Sequence, residues 1–326
     1  MTQGAGGFSR PRFPGRFSLL LSTSTNICAF LPDGRRNPLE TCIDMCARRG
    51  YRLLDINFCA GMNPGSLMRT DAWEAFVARL KKAGDAAGVR FNQSHLPYYN
   101  VFASQDPDYR AMMEMLIRRS IIASGMLGVP WAVTHPCTVY EAGPDMSVSL
   151  QRNLDYYGPH VALARQHGLG IALENEFEYK TRPWQRIFGS APAELAALID
   201  AFGDPAHVGA CYDFGHGNLT GGHHRQNLAV LGSRLRATHV NDNRGTADEH
   251  LMPFFGTTDW RDAMHSLRDI GYAGELTYEI QEFGRYLPND LKHLVIDQSL
   301  AIGRVLTSYF EEATAPPPED VREENA

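Results

Sequence analysis

The chain lacks any apolar run near the ~20 residues that a membrane helix needs, and its mean hydropathy is -0.29. It also lacks a dense run of Lys and Arg. Thirty-one basic residues face 37 acidic ones, for a formal net charge of -6 and a pI near 6.1. Proteins that hold duplex nucleic acid usually present a basic face, so neither nucleic acid nor membrane is the expected partner. The six cysteines, Cys28, Cys42, Cys46, Cys59, Cys137 and Cys211, contain no CxxC pair. That spacing argues against a disulfide framework or a structural zinc site, and for reduced thiols in the cytoplasm. Arg10, Arg12 and Arg16 precede a short apolar stretch at Phe17–Leu21, but no small-residue cleavage site follows, so a leader is not expected. There is no GxGxxG loop after the first strand-like run and no Walker loop, which disfavours nucleotide-binding α/β folds.

What is present is a long alternation. Short apolar runs start at Phe17, Tyr51, Val89, Trp131, Leu169, His207, Leu235 and Gly274. Between and after them lie segments with apolar residues near the three-to-four spacing of a helix: 38–49, 71–87, 108–128, 149–168, 191–203, 227–235, 260–271 and 291–310. Several of these end at a glycine, among them Gly88, Gly128, Gly168 and Gly271, as helix C-caps do. Eight strand–helix pairs predict parallel strands with right-handed crossovers. The expected fold is α/β, a single-domain (β/α)8 barrel over residues 16–311, with Phe17–Ser22 as its first strand. Residues 1–15 and 312–326, rich in Gly, Arg, Pro and charge, are expected to be flexible tails. Cys42 and Cys46 share one helical face and are expected in the core.

Four acidic or imidazole groups end four successive strand-like runs: Glu174 in IALEN, Asp213 in CYDFGH, His239 in ATHVND and Glu279 in LTYEIQ. Barrel enzymes carry their chemistry at the C-terminal ends of several strands. Strand alternation places Leu276, Tyr278 and Ile280 on one face, with Thr277, Glu279 and Gln281 on the other. By the same phase Ala172 and Glu174 face inward, as do Ala237, His239 and Asn241. Three carboxylates and one imidazole form an oxygen-rich set suited to one divalent ion, Mn2+ foremost, with Mg2+, Co2+ or Zn2+ as alternatives.

The order and spacing of ALEN (172–175), DFGHGN (213–218), THVNDN (238–243), PFFGTTDW (253–260) and YEI (278–280) resemble the xylose isomerase-like TIM barrels. That superfamily includes sugar phosphate isomerases and epimerases, ketose 3-epimerases, inosose dehydratase and endonuclease IV. The resemblance implies that Glu174, Asp213, His239 and Glu279 hold the metal and that Glu174 and Glu279 double as acid and base. It implies substrate contacts for His216 and, more loosely aligned, Arg244. His95 and His135 end the third and fourth strand-like runs, and Asp248 and His250 form a D-x-H pair. In endonuclease IV such residues bind further zinc ions; here they are expected to line the substrate pocket.

The activity so implied is a sugar isomerase or epimerase that abstracts a proton beside a carbonyl through a cis-enediolate. Two other classes compete with it: a lyase or dehydratase on a keto-sugar or cyclitol, and an endonuclease IV-like repair enzyme. The expected partner is a small carbohydrate, with a homo-oligomer or a small partner subunit left open. Tyr98, Trp184, Phe254 and Phe255 are aromatic loop residues that could cover a sugar, and His223 and His224 read as a solvated loop.

Overall fold

The computed structural model describes residues 19–143, 145–179, 181–182 and 184–312. Eight parallel strands form one sheet: β1 (Leu20–Ser24), β2 (Leu53–Asn57), β3 (Arg90–His95), β4 (Trp131–Thr134), β5 (Gly170–Glu174), β6 (Val208–Asp213), β7 (Leu235–His239) and β8 (Glu275–Tyr278). Helices α1 (Leu39–Arg49), α2 (Trp73–Ala87), α3 (Pro107–Leu127), α4 (Met146–Gln166), α5 (Pro192–Ala201), α6 (Phe214–Leu219), α7 (His224–Leu231), α8 (Trp260–Asp269) and α9 (Lys292–Glu311) lie between and after them. The strand order β7-β6-β5-β4-β3-β2-β1-β8 leaves β7 and β8 at its ends. A bridge between Val240 and Tyr278 joins those ends and closes the ring. At this seam Val240 N donates to Thr277 O at 2.7 Å, and Glu279 N to Val240 O at 3.2 Å. The hydroxyl of Thr238 supplements them, accepting from Thr277 N at 3.3 Å and donating to Glu275 O at 2.8 Å.

The expected barrel is therefore present. Its first strand, expected at Phe17–Ser22, is described as Leu20–Ser24; Phe17 and Ser18 lie outside the described residues. The strand runs on to Ser24 because Ser22, Thr23 and Ser24 are buried in the barrel wall, and Ser22 Oγ donates to Asn92 Oδ1 at 2.6 Å. Barrel interiors accept such polar residues when their hydrogen bonds close. The proposed tails also fall outside the described residues, apart from Glu312. The helix expected at 227–235 begins earlier, at His224, and gives way to a turn at Gly232–Arg234. Gly88, Gly128, Gly168 and Gly271 all have φ between 66° and 75°, a left-handed conformation that glycine adopts without a Cβ penalty.

Two apolar layers fill the molecule. The larger lies between sheet and helices and contains Ile171, Leu173, Tyr212, Leu276 and Tyr278, with Cys42 and Cys46 from α1. The smaller lies inside the ring: Val133, Ala172, Cys211 and Ala237. Two residues beyond each of these four, on the same face of the strand, come His135, Glu174, Asp213 and His239. A layer of small apolar side chains thus forms the floor on which the polar groups stand. All six cysteines are unpaired. Among the described residues no helix is long and apolar enough to cross a membrane.

Candidate metal centre

Glu174, Asp213 and His239 are the last residues of β5, β6 and β7, and Glu279 follows β8 directly. Their relative exposures are 0%, 0%, 0% and 6%. One ligand atom from each lies within 4.8 Å of the others. His239 Nδ1 is 2.9 Å from Glu174 Oε1 and 3.4 Å from Glu279 Oε2. Asp213 is braced from three sides. Its Oδ1 caps α6 by accepting His216 N–H at 2.7 Å, and its Oδ2 accepts from Asn241 Nδ2 at 2.5 Å. Asn175 accepts from Asp213 N at 2.7 Å and donates to Asp213 O at 3.1 Å.

This donor set fits a divalent cation. Three carboxylates share one buried pocket, and Glu174 Oε2 makes no hydrogen bond, with only His95 and His135 Nε2 near it at 3.5 and 3.4 Å. A buried carboxylate oxygen without a hydrogen bond is costly, and an ion coordinated by it would remove that cost. Burial raises the pKa of Glu174, yet the adjacent His239 and His135 outweigh it and hold the carboxyl well below its usual value. Glu279 is likewise lowered: burial opposes, while His239, His250 and His95 prevail. Asp213 goes the other way, its burial outweighing the pull of His216.

The floor holds a further acid. Asp55 of β2 is fully buried, neither of its oxygens has a hydrogen-bond partner, and burial lifts its pKa to about 6. It lies 4.0 Å from His239 Nε2, itself unpartnered.

Beside the first group stands a second, His216, Asp248 and His250, whose ligand atoms also meet the 4.8 Å limit. Asp248 Oδ2 is 2.9 Å from His250 Nε2 and 3.7 Å from His216 Nε2. His250 rises to about 10, because Asp248 overcomes the opposing effect of burial. His95 and His135 point their Nε2 atoms at Glu174 Oε2 from 3.5 and 3.4 Å, and His135 Nδ1 is 3.2 Å from Glu176 Oε1.

Above these groups opens a cavity of about 590 Å3, lined by His95, His135, His216, Asp248 and His250 together with Glu174 and Glu279. A different hollow, at the N-terminal mouth of the barrel, is lined by Leu20, Leu53, Arg90 and Glu275 and holds none of these groups.

Not every expected residue arrives. The Arg244 side chain is 61% exposed and pairs with Glu249; it is not among the cavity-lining residues. Tyr98 does line the cavity, its ring 4.2 Å from that of His135. Trp184 is 78% exposed, while Phe254 and Phe255 pack on Tyr309 and Phe283. His223 is exposed as expected. His224 is not a solvated loop residue: it is 3% exposed and shares a 3.0 Å hydrogen bond with the Tyr212 hydroxyl. The PFFGTTDW segment is gathered by buried Asp242, which accepts from Phe254 N, Gly256 N, Thr258 N and Trp260 Nε1. Sequence reasoning missed Arg36, Cys59 and Glu176, which line the cavity, and Asp55 beneath it. Asp55 and Glu176 could have been found by extending the inward phase of their strands. Arg36 sits in a loop without any period to place it.

The ring of strands closes a parallel α/β barrel, and the acid–imidazole cluster at its C-terminal mouth is a candidate metal-binding group. A family model described as xylose isomerase-like TIM barrel matches residues 43–296, and the chain belongs to that family. It is 26% identical over 189 residues to an uncharacterized protein of Methanocaldococcus jannaschii, covering 57% of this chain and 62% of that one. It is 26% identical over 130 residues to a probable endonuclease 4 of Acholeplasma laidlawii, covering 37% of this chain and 39% of that one. The chain thus matches less than two thirds of the length of each of these relatives. Among solved structures, a D-tagatose 3-epimerase-like protein shares the fold with a TM-score of 0.69 at 20% identity, covering 91% of this chain and 100% of that chain.

Proposed function

We propose that the chain is a metal-dependent sugar isomerase or epimerase that moves a proton beside a carbonyl. One observation carries this reading: two carboxylates, Glu174 and Glu279, reach a single buried centre from strands three apart in the ring. The likeness to a D-tagatose 3-epimerase-like fold supports it. A divalent ion held by Glu174, Asp213, His239 and Glu279, Mn2+ foremost, would polarise the oxygens of an α-hydroxy ketone and stabilise the charge of the enediolate.

The side chains do the rest. Glu174 and Glu279 both sit below the usual carboxylate pKa, so both are ionised at neutral pH and either can accept a carbon-bound proton. Their separate approaches allow one, as the carboxylate, to remove a proton while the other, having taken a proton from solvent, delivers that second proton to the opposite face; the two end with exchanged protonation states and reset through water. Asp213, pinned by Asn175, Asn241 and the start of α6, keeps its place while this happens. His216 and Tyr98, on the cavity wall, are placed to touch the sugar hydroxyls and exclude water.

The test is incubation of ketoses and keto-sugars with metal-loaded protein in deuterated water. Deuterium should enter the carbon beside the carbonyl, and stripping the metal should stop it. Glu279→Gln and Glu174→Gln should each lose at least ~10²-fold in rate. Turnover without exchange, with both variants unimpaired, would sink the reading.

A second reading has its own observation. The His216–Asp248–His250 group, next to His95 and His135 on Glu174, could hold additional ions for phosphodiester cleavage, as the partial likeness to a probable endonuclease 4 also suggests. Elemental analysis separates the two: one ion per chain favours the sugar enzyme, and three zinc ions with cleavage of abasic-site DNA favour the nuclease.

A further inference from the structure

The cavity is acidic, with Glu174, Glu176, Asp248, Glu279 and Glu282 in its wall. Arg36 is the one Lys or Arg among its described lining residues. Its Cζ lies 4.2 Å from the centroid of the Phe30 ring. The carboxylates nearest in sequence and in the cavity wall on its side are engaged elsewhere. Asp33 is taken by Arg35 at 2.7 Å, Glu40 by Arg79 at 3.6 Å, and Glu282 by Arg285. Arg285 also packs on Phe30, with its Cζ 4.3 Å from the centroid, and so adds a second positive charge beside Arg36. Among the described residues no carboxylate comes within 4.0 Å of Arg36. A half-buried guanidinium without an anion is an unbalanced charge. Burial, with the like charge of Arg285 beside it, accordingly draws its pKa below the usual arginine value, although arginine stays protonated at any working pH.

We propose that Arg36 receives an oxyanion carried by the substrate, a phosphoryl or carboxylate group, so that the sugar turned over at the metal centre is an anionic one. The inference rests on the sugar-enzyme reading and narrows its substrate class. The guanidinium fork matches either oxyanion with two parallel hydrogen bonds. The histidines of the cavity face its carboxylates, His216 and His250 toward Asp248 and His95 and His135 toward Glu174, so Arg36 is the lining cation left for an anion and fixes which end of the sugar faces away from the metal centre. A neutral sugar would leave the guanidinium as unbalanced as it is now.

The experiment uses metal-loaded protein, wild type and Arg36→Met, with Arg36→Lys as a second variant that keeps charge but loses the fork. Unfolding curves verify that both variants fold. Inorganic phosphate is titrated by calorimetry into each, and deuterium exchange is measured with three matched ketoses: neutral, phosphorylated and carboxylated. Wild-type protein should bind phosphate at least ~10-fold more tightly than Arg36→Met. The variant should raise KM for the anionic ketoses by a similar factor, with kcat and the neutral ketose's KM little changed, and Arg36→Lys should fall between. Whichever anionic ketose shows the larger effect identifies the oxyanion. Equal KM for neutral and anionic ketoses in the wild type would overturn the proposal, as would a rise in KM for all three alike. So would loss of duplex oligonucleotide binding, in place of sugar-anion binding, in Arg36→Met. If none of the ketoses exchanges deuterium, the sugar-enzyme reading fails, and the phosphate titration still decides the role of Arg36.

Discussion

His224 shows how one side chain can carry a pH dependence far from the chemistry. Burial depresses its pKa from 6.5 to about 4. Below pH 6.5 the unfolded chain takes up a proton at this imidazole while the folded chain does not, until about pH 4. Stability is therefore fully present above pH 6.5 and is lost as pH falls through that window, by about 2 kcal/mol between pH 7.5 and 5. Raised groups such as His250 shift stability the other way over the same range, so the check is the difference: urea unfolding at the two pH values should show His224→Gln losing less than the wild type by about that amount. An equal loss in the variant would place the effect elsewhere. Among the site residues, the four strand-end groups were legible because strand alternation fixes both their level and their direction. Arg244 was not, because a loop has no period to say which way a side chain turns. His224 was misread because two histidines after two glycines look like solvent-facing chain, whereas α7 begins there and turns the second one inward.

Elements were legible where their periods were long and clean. The helices ending in glycine fell within about three residues of expectation, α4 starting three residues early at Met146. Short or irregular pieces were not: α6, only six residues long, and the register shift between β2 and β3 at Leu54/Asp55 leave no pattern strong enough to read. Yet α6 is where the site is most tightly built. A Cβ on Gly215 would come 1.9 Å from Asn241 Oδ1, and Asn241 is the residue that donates to Asp213. Gly215→Ala should therefore displace Asn241, lower stability by about 1–3 kcal/mol, and weaken metal affinity measurably by titration calorimetry. Asn241→Ala should weaken metal binding in the same direction, since it leaves Asp213 Oδ2 bare in a dry pocket. A Gly215→Ala protein with unchanged affinity would show that Asp213 is held well enough by Asn175 and the His216 N–H.

At the scale of the molecule, the alternation of eight short runs with helices was enough to specify a closed barrel, because parallel strands buried on both faces have few other ways to close. Whether the centre takes an ion can be read in the stability of the whole fold. Ligand at one hundred times its Kd adds ~2.7 kcal/mol to a protein whose unfolded chain does not bind it, which for a chain of this length amounts to an increase of about 4 °C in Tm. Scanning calorimetry with added Mn2+, and after chelation, should show this rise and its reversal. A Tm indifferent to every divalent ion would count against the centre altogether.

The seam between β7 and β8 gives this coupling a particular place. Those strands meet at a single bridge, and His239 and Glu279 stand one residue from it on either side. An ion gripping both would act as a buckle across the one joint of the ring that has little ladder of its own. Filling the centre should then slow amide exchange at Val240 and Glu279 far more than at the well-paired β5–β6 edge, and Thr238→Val, which deletes the hydroxyl stitch at the joint, should make that contrast larger.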